Sequence, residues 1–197
     1  MNTQGVTVRP PVVVIMGHID HGKSTLLDYI RKSNIVDGEA GGITQHLSAY
    51  EVPHKDEKGE IRKITFLDTP GHAAFSGMRE RGASVADIAI LIVSAEDGVK
   101  AQTIEALNTI LEAKVPYLVA INKIDRPGAN VEKAKMELME KGVYLEGYGG
   151  AIPYVEISAK QGTNIPALLD TILLVAAMEN FTGDASKTAR GIVIESN

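Results

Sequence analysis

The stretch GHIDHGKS, Gly17 to Ser24, places two glycines, a lysine and a hydroxyl side chain at the spacing G-x-x-x-x-G-K-[ST]. That pattern suits a phosphate cradle. Glycines let backbone N–H groups turn inward on phosphate oxygens, Lys23 offers a cation to the β and γ groups, and Ser24 offers a hydroxyl to Mg²⁺. If a helix begins here, its N-terminus adds the positive end of its dipole. Asp20, His21, Gly22, Lys23, Ser24 and Thr25 are therefore candidate nucleotide contacts. Asp20 is the odd member, because a carboxylate beside a triphosphate is repelled. Either a cation stands between them, or the side chain turns outward and supports the loop.

Three further stretches extend this chemistry. In DTPGH, Asp68 can reach Mg²⁺ through water, since Mg²⁺ keeps part of its hydration shell, and Gly71 can bring a bare backbone N–H against a γ-phosphate. In NKID, the Asp125 carboxylate can accept from both N1–H and the exocyclic amine of guanine. Adenine offers no such donor pair and would leave a buried carboxylate unpaired. Asn122 and Lys123 belong to the same stretch, with the Lys123 stem lying along the base. In SAK (Ser158, Ala159, Lys160) the Ala159 N–H is placed to meet guanine O6.

The elements that must position these residues follow from periodicity. VVVIM is a β-branched apolar run of the kind covered on both faces. STLLDYIRK carries Leu26, Leu27 and Ile30 on one helical face. LSAYEVP and IRKITFLD are strand-like, and HKDEKGE between them, with Gly59, reads as a hairpin turn. DIAILIVSA, VPYLVAIN and AIPYVEIS then alternate with the helical patterns AQTIEALNTILEA, NVEKAKMELMEK and IPALLDTILLVAAME. Strand–helix alternation predicts an α/β fold: a mostly parallel, six-stranded sheet with helices on both faces. The candidate motifs fall just past strand ends, where open α/β sheets bind ligands. Residues 33–46 lack a period and read as a mobile loop. Residues 1–11 read as a flexible lead-in, 12–180 as the ligand-binding domain and 181–189 as a linker. Residues 190–197 read as the first strand of a truncated following domain.

The net charge of −5 argues against holding nucleic acid by general phosphate neutralisation, so any RNA contact is expected to be local. The absence of cysteine excludes disulfides and thiolate metal sites and fits a cytoplasmic protein. No run reaches membrane-spanning length, and no signal-peptide pattern opens the chain. A monomer without membrane contact is expected. His18 and His21 lie three apart, but without further ligands they read as structural. His46 and His54 read as surface residues.

GHIDHGKSTLLD, GEAGGITQHLSAYEV, FLDTPGHAAFSGMRERGA, SAEDGVKAQTIEAL, INKIDRPGAN and ARGIVIES together resemble the GTPase domain of the translational GTPases, a P-loop class. Within them they are most similar to the bacterial translation initiation factor 2 group. The resemblance covers about residues 9 to 197, and GGITQH is its most discriminating piece. It implies a P-loop GTPase fold and Mg²⁺-dependent hydrolysis of GTP to GDP and phosphate. Thr44 becomes the loop threonine that meets Mg²⁺ and the γ-phosphate, and His72 the catalytic histidine that orients the attacking water. Ile19 and Ile43 become an apolar gate in front of His72, with plain packing the other reading of Ile43. Arg79 and Arg81 either touch ribosomal RNA or form a solvated helix face.

The resemblance also implies partners. The ribosome would stimulate hydrolysis, with large-subunit RNA near the GTPase centre. Initiator tRNA would be reached only through downstream domains absent from this chain. Three functions follow: a switch of translation initiation or another translational GTPase, a GTP-holding interaction module with little turnover, and a P-loop ATPase or kinase, against which NKID argues.

Overall fold

The computed structural model describes residues 6–34, 48–56, 58–68, 82–184, 186–188, 191 and 193. A six-stranded sheet carries the architecture. Its strands are β2 (Val12–Gly17), β3 (Ser48–Lys55), β4 (Ile61–Asp68), β5 (Ile88–Ser94), β6 (Tyr117–Asn122) and β7 (Tyr154–Glu156), in the order β3-β4-β2-β5-β6-β7. Only the β3–β4 pair is antiparallel. The other neighbours run in parallel and need crossovers: α2 (Ala101–Ala113) joins β5 to β6 and α3 (Val131–Glu140) joins β6 to β7, while α1 (Lys23–Asn34) leads from β2 to β3 and α4 (Ile165–Glu179) follows β7.

The period of two along the central strands builds two cores. Ile88, Ile90 and Ile92 point to the face covered by Leu26, Leu27 and Ile30 of α1 and by Leu168, Leu169 and Ile172 of α4. Ala89, Leu91 and Val93 point to the opposite face, covered by Ala106, Leu107 and Ile110 of α2 and by Ala134 and Leu138 of α3. Every residue of β5 is buried, which is why the run IAILIVS shows no polar alternation. A truncation such as Ile90→Ala in this core costs about 2–5 kcal/mol.

The hairpin falls where expected. Asp56 Oδ1 accepts from the N–H groups of Lys58 (3.0 Å) and Glu60 (2.9 Å), and Gly59 takes φ +82°. An Asp closing its own turn and a glycine at positive φ are the usual chemistry of such a corner. Pro53 is tolerated because β3 is an edge strand. β7 is shorter than the run AIPYVEIS suggests, covering three residues after Pro153.

Two segments depart from their compositional reading. Val6–Val8 (β1), within the expected lead-in, pairs antiparallel with Thr182–Asp184 (β8), within the expected linker. The ladder is anchored by Arg9. Its guanidinium forks onto Asp87, with Nη2 at 2.6 Å from Oδ1, and lies over the Phe181 ring at 5.4 Å. A charge-assisted fork and a cation–π contact hold what three residues per strand, all exposed in β1 and two of them half-buried in β8, could not hold by burial. His54 also departs from its surface reading. Its Nε2 sits 2.7 Å from Asp170 Oδ1, tying β3 to α4.

Among the described residues no helix is long and apolar enough to cross a membrane, and no group of three or more His, Asp or Glu side chains gathers as a metal site. Ile43, Thr44, His46, Gly71, His72, Arg79 and Arg81 lie outside the described residues, as do most of 33–46 and of 190–197.

Candidate functional site

The carboxyl ends of β2, β5 and β6 lie side by side, with Gly17 opposite Ile92 and Ser94 opposite Asn122. The phosphate loop leaves β2 at this edge. Gly17 has no room for a side chain, since a Cβ would sit 2.4 Å from the Ile92 carbonyl oxygen. Gly22, at φ +95°, is equally confined: a Cβ there would meet Asn122 Nδ2 at 2.2 Å. Both glycines of the motif are thus required by close backbone approach. Lys23 Nζ lies over the loop and donates to the carbonyls of Gly17 (3.0 Å) and His18 (2.7 Å). α1 begins at Lys23, so the loop's end carries the unpaired amides and the positive dipole end of a helix.

Asn122 is the keystone. Buried at the end of β6, it donates from Nδ2 to the His21 carbonyl (2.8 Å) and accepts at Oδ1 from the Ala159 N–H (2.9 Å). One amide side chain therefore ties the phosphate loop to the loop after β7. The Ala159 N–H, expected to face guanine O6, is directed to Asn122 instead, because a buried amide oxygen needs a donor. Asp125 is oriented in turn by Ser158, whose Oγ donates to Oδ1 at 2.7 Å. That bond holds the Asp125 carboxyl below its ordinary range. Ser158 is fully buried and also accepts from the Gln161 N–H (3.1 Å). It positions Asp125 from behind rather than from the pocket wall. Lys123 takes φ +65° and donates to Asp97 Oδ2 at 3.0 Å, which holds the Asp97 carboxyl low.

These residues enclose a pocket of about 510 Å³ lined by Ile19, Asp20, Gly22, Lys23, Ser24, Thr25, Asn122, Lys123, Asp125, Arg126, Ala159 and Lys160. The size suits a small-molecule site. Four cations face two carboxylates in this wall, so the pocket is locally positive although the chain carries net negative charge.

Of the sequence-predicted residues, His21 and Ser158 belong to the layer behind the wall. His21 is buried, and burial, then the nearby His18, lowers its pKa to about 4. It is a neutral packing group that contributes its carbonyl to Asn122. Asp20 takes φ +63°, a conformation Asp tolerates better than most, and its side chain is exposed at the pocket rim. Asp68 ends β4, paired with Ser48.

Sequence reasoning missed Arg126, Asp97 and Gln102. Arg126 directly follows NKID, and Asp97 and Gln102 lie within the matched run SAEDGVKAQTIEAL. Neither run has a residue spacing that announces its contacts.

A doubly covered, mostly parallel sheet with a G-x-x-x-x-G-K-[ST] loop at its carboxyl edge and the Asp125 carboxylate of NKID beside it defines a P-loop GTPase domain. Residues 9–178 match the family described as the elongation factor Tu GTP binding domain, and the chain belongs to that family. It is 60% identical over 195 residues to translation initiation factor IF-2 of Streptococcus agalactiae, covering 99% of this chain and 20% of the relative. It is 56% identical over 194 residues to the same factor of Bartonella tribocorum, covering 98% of this chain and 22% of the relative. The chain thus spans about one-fifth of the length of the curated relatives it matches. Among solved structures, GDP-bound aIF5B from Aeropyrum pernix superposes with a TM-score of 0.68 at 36% identity, covering 87% of this chain and 36% of that one. Elongation factor SelB from Methanococcus maripaludis, in complex with the GTP analogue GppNHp, gives 0.64 at 26% identity, covering 87% and 34%.

Proposed function

We propose that this chain is the switch domain of a translation initiation factor, binding GTP in the pocket at the carboxyl edge of its sheet and hydrolysing it when the ribosome engages. The observation that carries the reading is the Asn122 clamp, which makes a phosphate-binding loop and a base-binding loop one site. The donor set fits a guanine nucleotide. Lys23 and the first-turn amides of α1 face the phosphates, Asp125 meets the base edge, and the stems of Lys123 and Lys160 flank the base. Gly22 leaves the loop room to close around the phosphates.

Ser24, Thr44 and the Asp68 carboxylate, the last through water, are the residues that would hold Mg²⁺, which when bound offsets charge on the β and γ phosphates. Gly71 would offer its amide to the γ-phosphate. His72 would orient the attacking water, and Ile19 with Ile43 would keep it aside until the ribosome engages. Asp20, exposed at the rim, is free to hold K⁺ or Na⁺ there, in the place an arginine would otherwise take. Contacts to the γ-phosphate would order the segments around Thr44 and Gly71, and hydrolysis would release them. In the longer relatives' context, the intact factor would promote initiator tRNA placement and ribosomal subunit joining, with initiator tRNA reached only through downstream domains. The domain is read as residues 12–180, acting in the cytoplasm as a monomer.

Titration with GTP, GDP and ATP tests this reading. Binding of both guanine nucleotides with ATP at least 100-fold weaker is expected; equal affinity for ATP would remove Asp125 from base recognition. Turnover by a ribosome-competent longer chain, with and without ribosomes, separates a switch from a module that only holds GTP.

A further inference from the structure

The connection from β5 to α2, residues 94–102, touches both ends of the nucleotide pocket. At the phosphate end, Gln102 Oε1 accepts from the Ile19 N–H at 2.9 Å. The carbonyl of the same peptide unit, His18 O, accepts from Lys23 Nζ at 2.7 Å. One peptide plane is thus gripped on both sides, by α2 through its N–H and by the phosphate-directed lysine through its oxygen. At the base end, Asp97 Oδ2 meets Lys123 Nζ at 3.0 Å, and the Ala95 N–H donates to the Asn122 carbonyl at 2.8 Å.

The connection is itself stiff. Ser94 Oγ accepts from the N–H groups of Glu96 (3.2 Å) and Asp97 (3.1 Å), and the Gly98 N–H donates to the Ser94 carbonyl at 2.9 Å. Its middle is clasped to α3, where Glu137 Oε2 accepts from the Val99 N–H at 2.7 Å. Gly98, at φ +70°, lies so close that a Cβ would stand 2.1 Å from that oxygen.

We propose that residues 94–102 form a brace coupling the phosphate and base ends of the pocket, with Gln102 the positioning residue for the phosphate loop and Asp97 for Lys123. Nucleotide release is governed through both. Without the Gln102 acceptor the His18–Ile19 peptide can rotate, and the anchor of Lys23 rotates with it. Without Asp97 the Lys123 ammonium leaves its station and the stem no longer lies fixed along the base. Both contacts act through one stiff segment, so loosening one already relaxes the other.

The inference rests on the pocket being the guanine-nucleotide site. Its test is release of fluorescent GDP, chased with excess GDP, from the full chain as wild type, Gln102→Met, Gln102→Glu, Asp97→Ala and the double variant Gln102→Met/Asp97→Ala. Amide hydrogen exchange at Ile19 is followed on the same samples. Gln102→Met keeps the stem without the acceptor and is expected to release GDP about tenfold faster and to lose protection at Ile19. Gln102→Glu keeps an acceptor and should keep that protection. Asp97→Ala should speed release about fivefold, and the double variant should fall short of the product of the two, as for coupled residues. Release at the wild-type rate in folded Gln102→Met, or a double variant equal to the product, overturns the brace. If wild type itself retains no GDP, it is the nucleotide reading that fails. The Gln102 arm is then decided by Ile19 exchange alone: unchanged protection in Gln102→Met overturns it, and lost protection supports it.

Discussion

Asn122 Nδ2 donates to the His21 carbonyl at 2.8 Å, joining two residues 101 positions apart in the chain. Its other atom, Oδ1, takes the Ala159 N–H. The end of one strand therefore holds together two loops that approach a ligand from different sides.

Replacing Asn122 by Ala strands a buried carbonyl and a buried amide. Unsatisfied buried groups cost about 1–3 kcal/mol each, so Asn122→Ala should lose about 2–6 kcal/mol of unfolding free energy. Chemical denaturation measures it. A loss below ~0.5 kcal/mol would mean that the clamp is ornamental. Gly22→Ala should behave in the same direction, because its Cβ displaces the same amide nitrogen.

His21 supplies a pH dependence. In the unfolded chain it takes a proton near 6.5, whereas burial, then His18, delays this to about 4 in the fold. Between those values the unfolded state binds more protons, so the contribution of neutral His21 is complete above pH 6.5. It is lost as pH falls toward 4, by ~3 kcal/mol in all. Urea midpoints at several pH values, compared with His21→Leu, test it. A variant with the same slope through this window would exonerate His21.

Ser158→Ala removes the hydroxyl that orients Asp125 and lowers its pKa. Guanine-nucleotide affinity should fall about fivefold, with the fold intact and the Asp125 carboxyl moving back toward its ordinary range. Calorimetric titration decides it; wild-type affinity would separate Ser158 from base recognition.

Asp125→Asn should shift preference from guanine to xanthine nucleotides, since xanthine carries a carbonyl where guanine has its amine. Competition binding reads the switch, and retained guanine selectivity would show that Asp125 does not face the base.

Arg9 and Asp87 make a prediction outside the pocket. Asp87 Oδ2 also accepts from the Val12 N–H at 2.8 Å, at the start of β2. Arg9→Ala should cost about 1–2 kcal/mol and expose β1 and β8 to proteolysis. Asp87→Ala should cost more, because it leaves both Arg9 and Val12 without their acceptor.

Much of this protein was legible in its residues. GHIDHGKS, NKID and SAK announced a pocket because each is a local pattern whose chemistry depends on neighbours in sequence. β2 and β5 announced a doubly covered sheet because continuous apolar runs have few other uses. Other features were not legible. Lys135 lies within the helical run NVEKAKMELMEK, yet it is buried between Glu132 (2.8 Å), Glu156 (2.9 Å) and the Tyr148 hydroxyl (3.0 Å), and it faces the rings of Tyr148 and Tyr154. Burial alone would lower its pKa, but these partners raise it.

Likewise no spacing marks Gln102 for Ile19, Arg9 for Asp87 or Asn122 for His21. Types and local spacing specify which chemistry a segment can offer and which face it buries. Which distant backbone group each polar side chain satisfies is settled only when the strands align. A buried donor or acceptor must find a partner there, and chain topology alone brings that partner near.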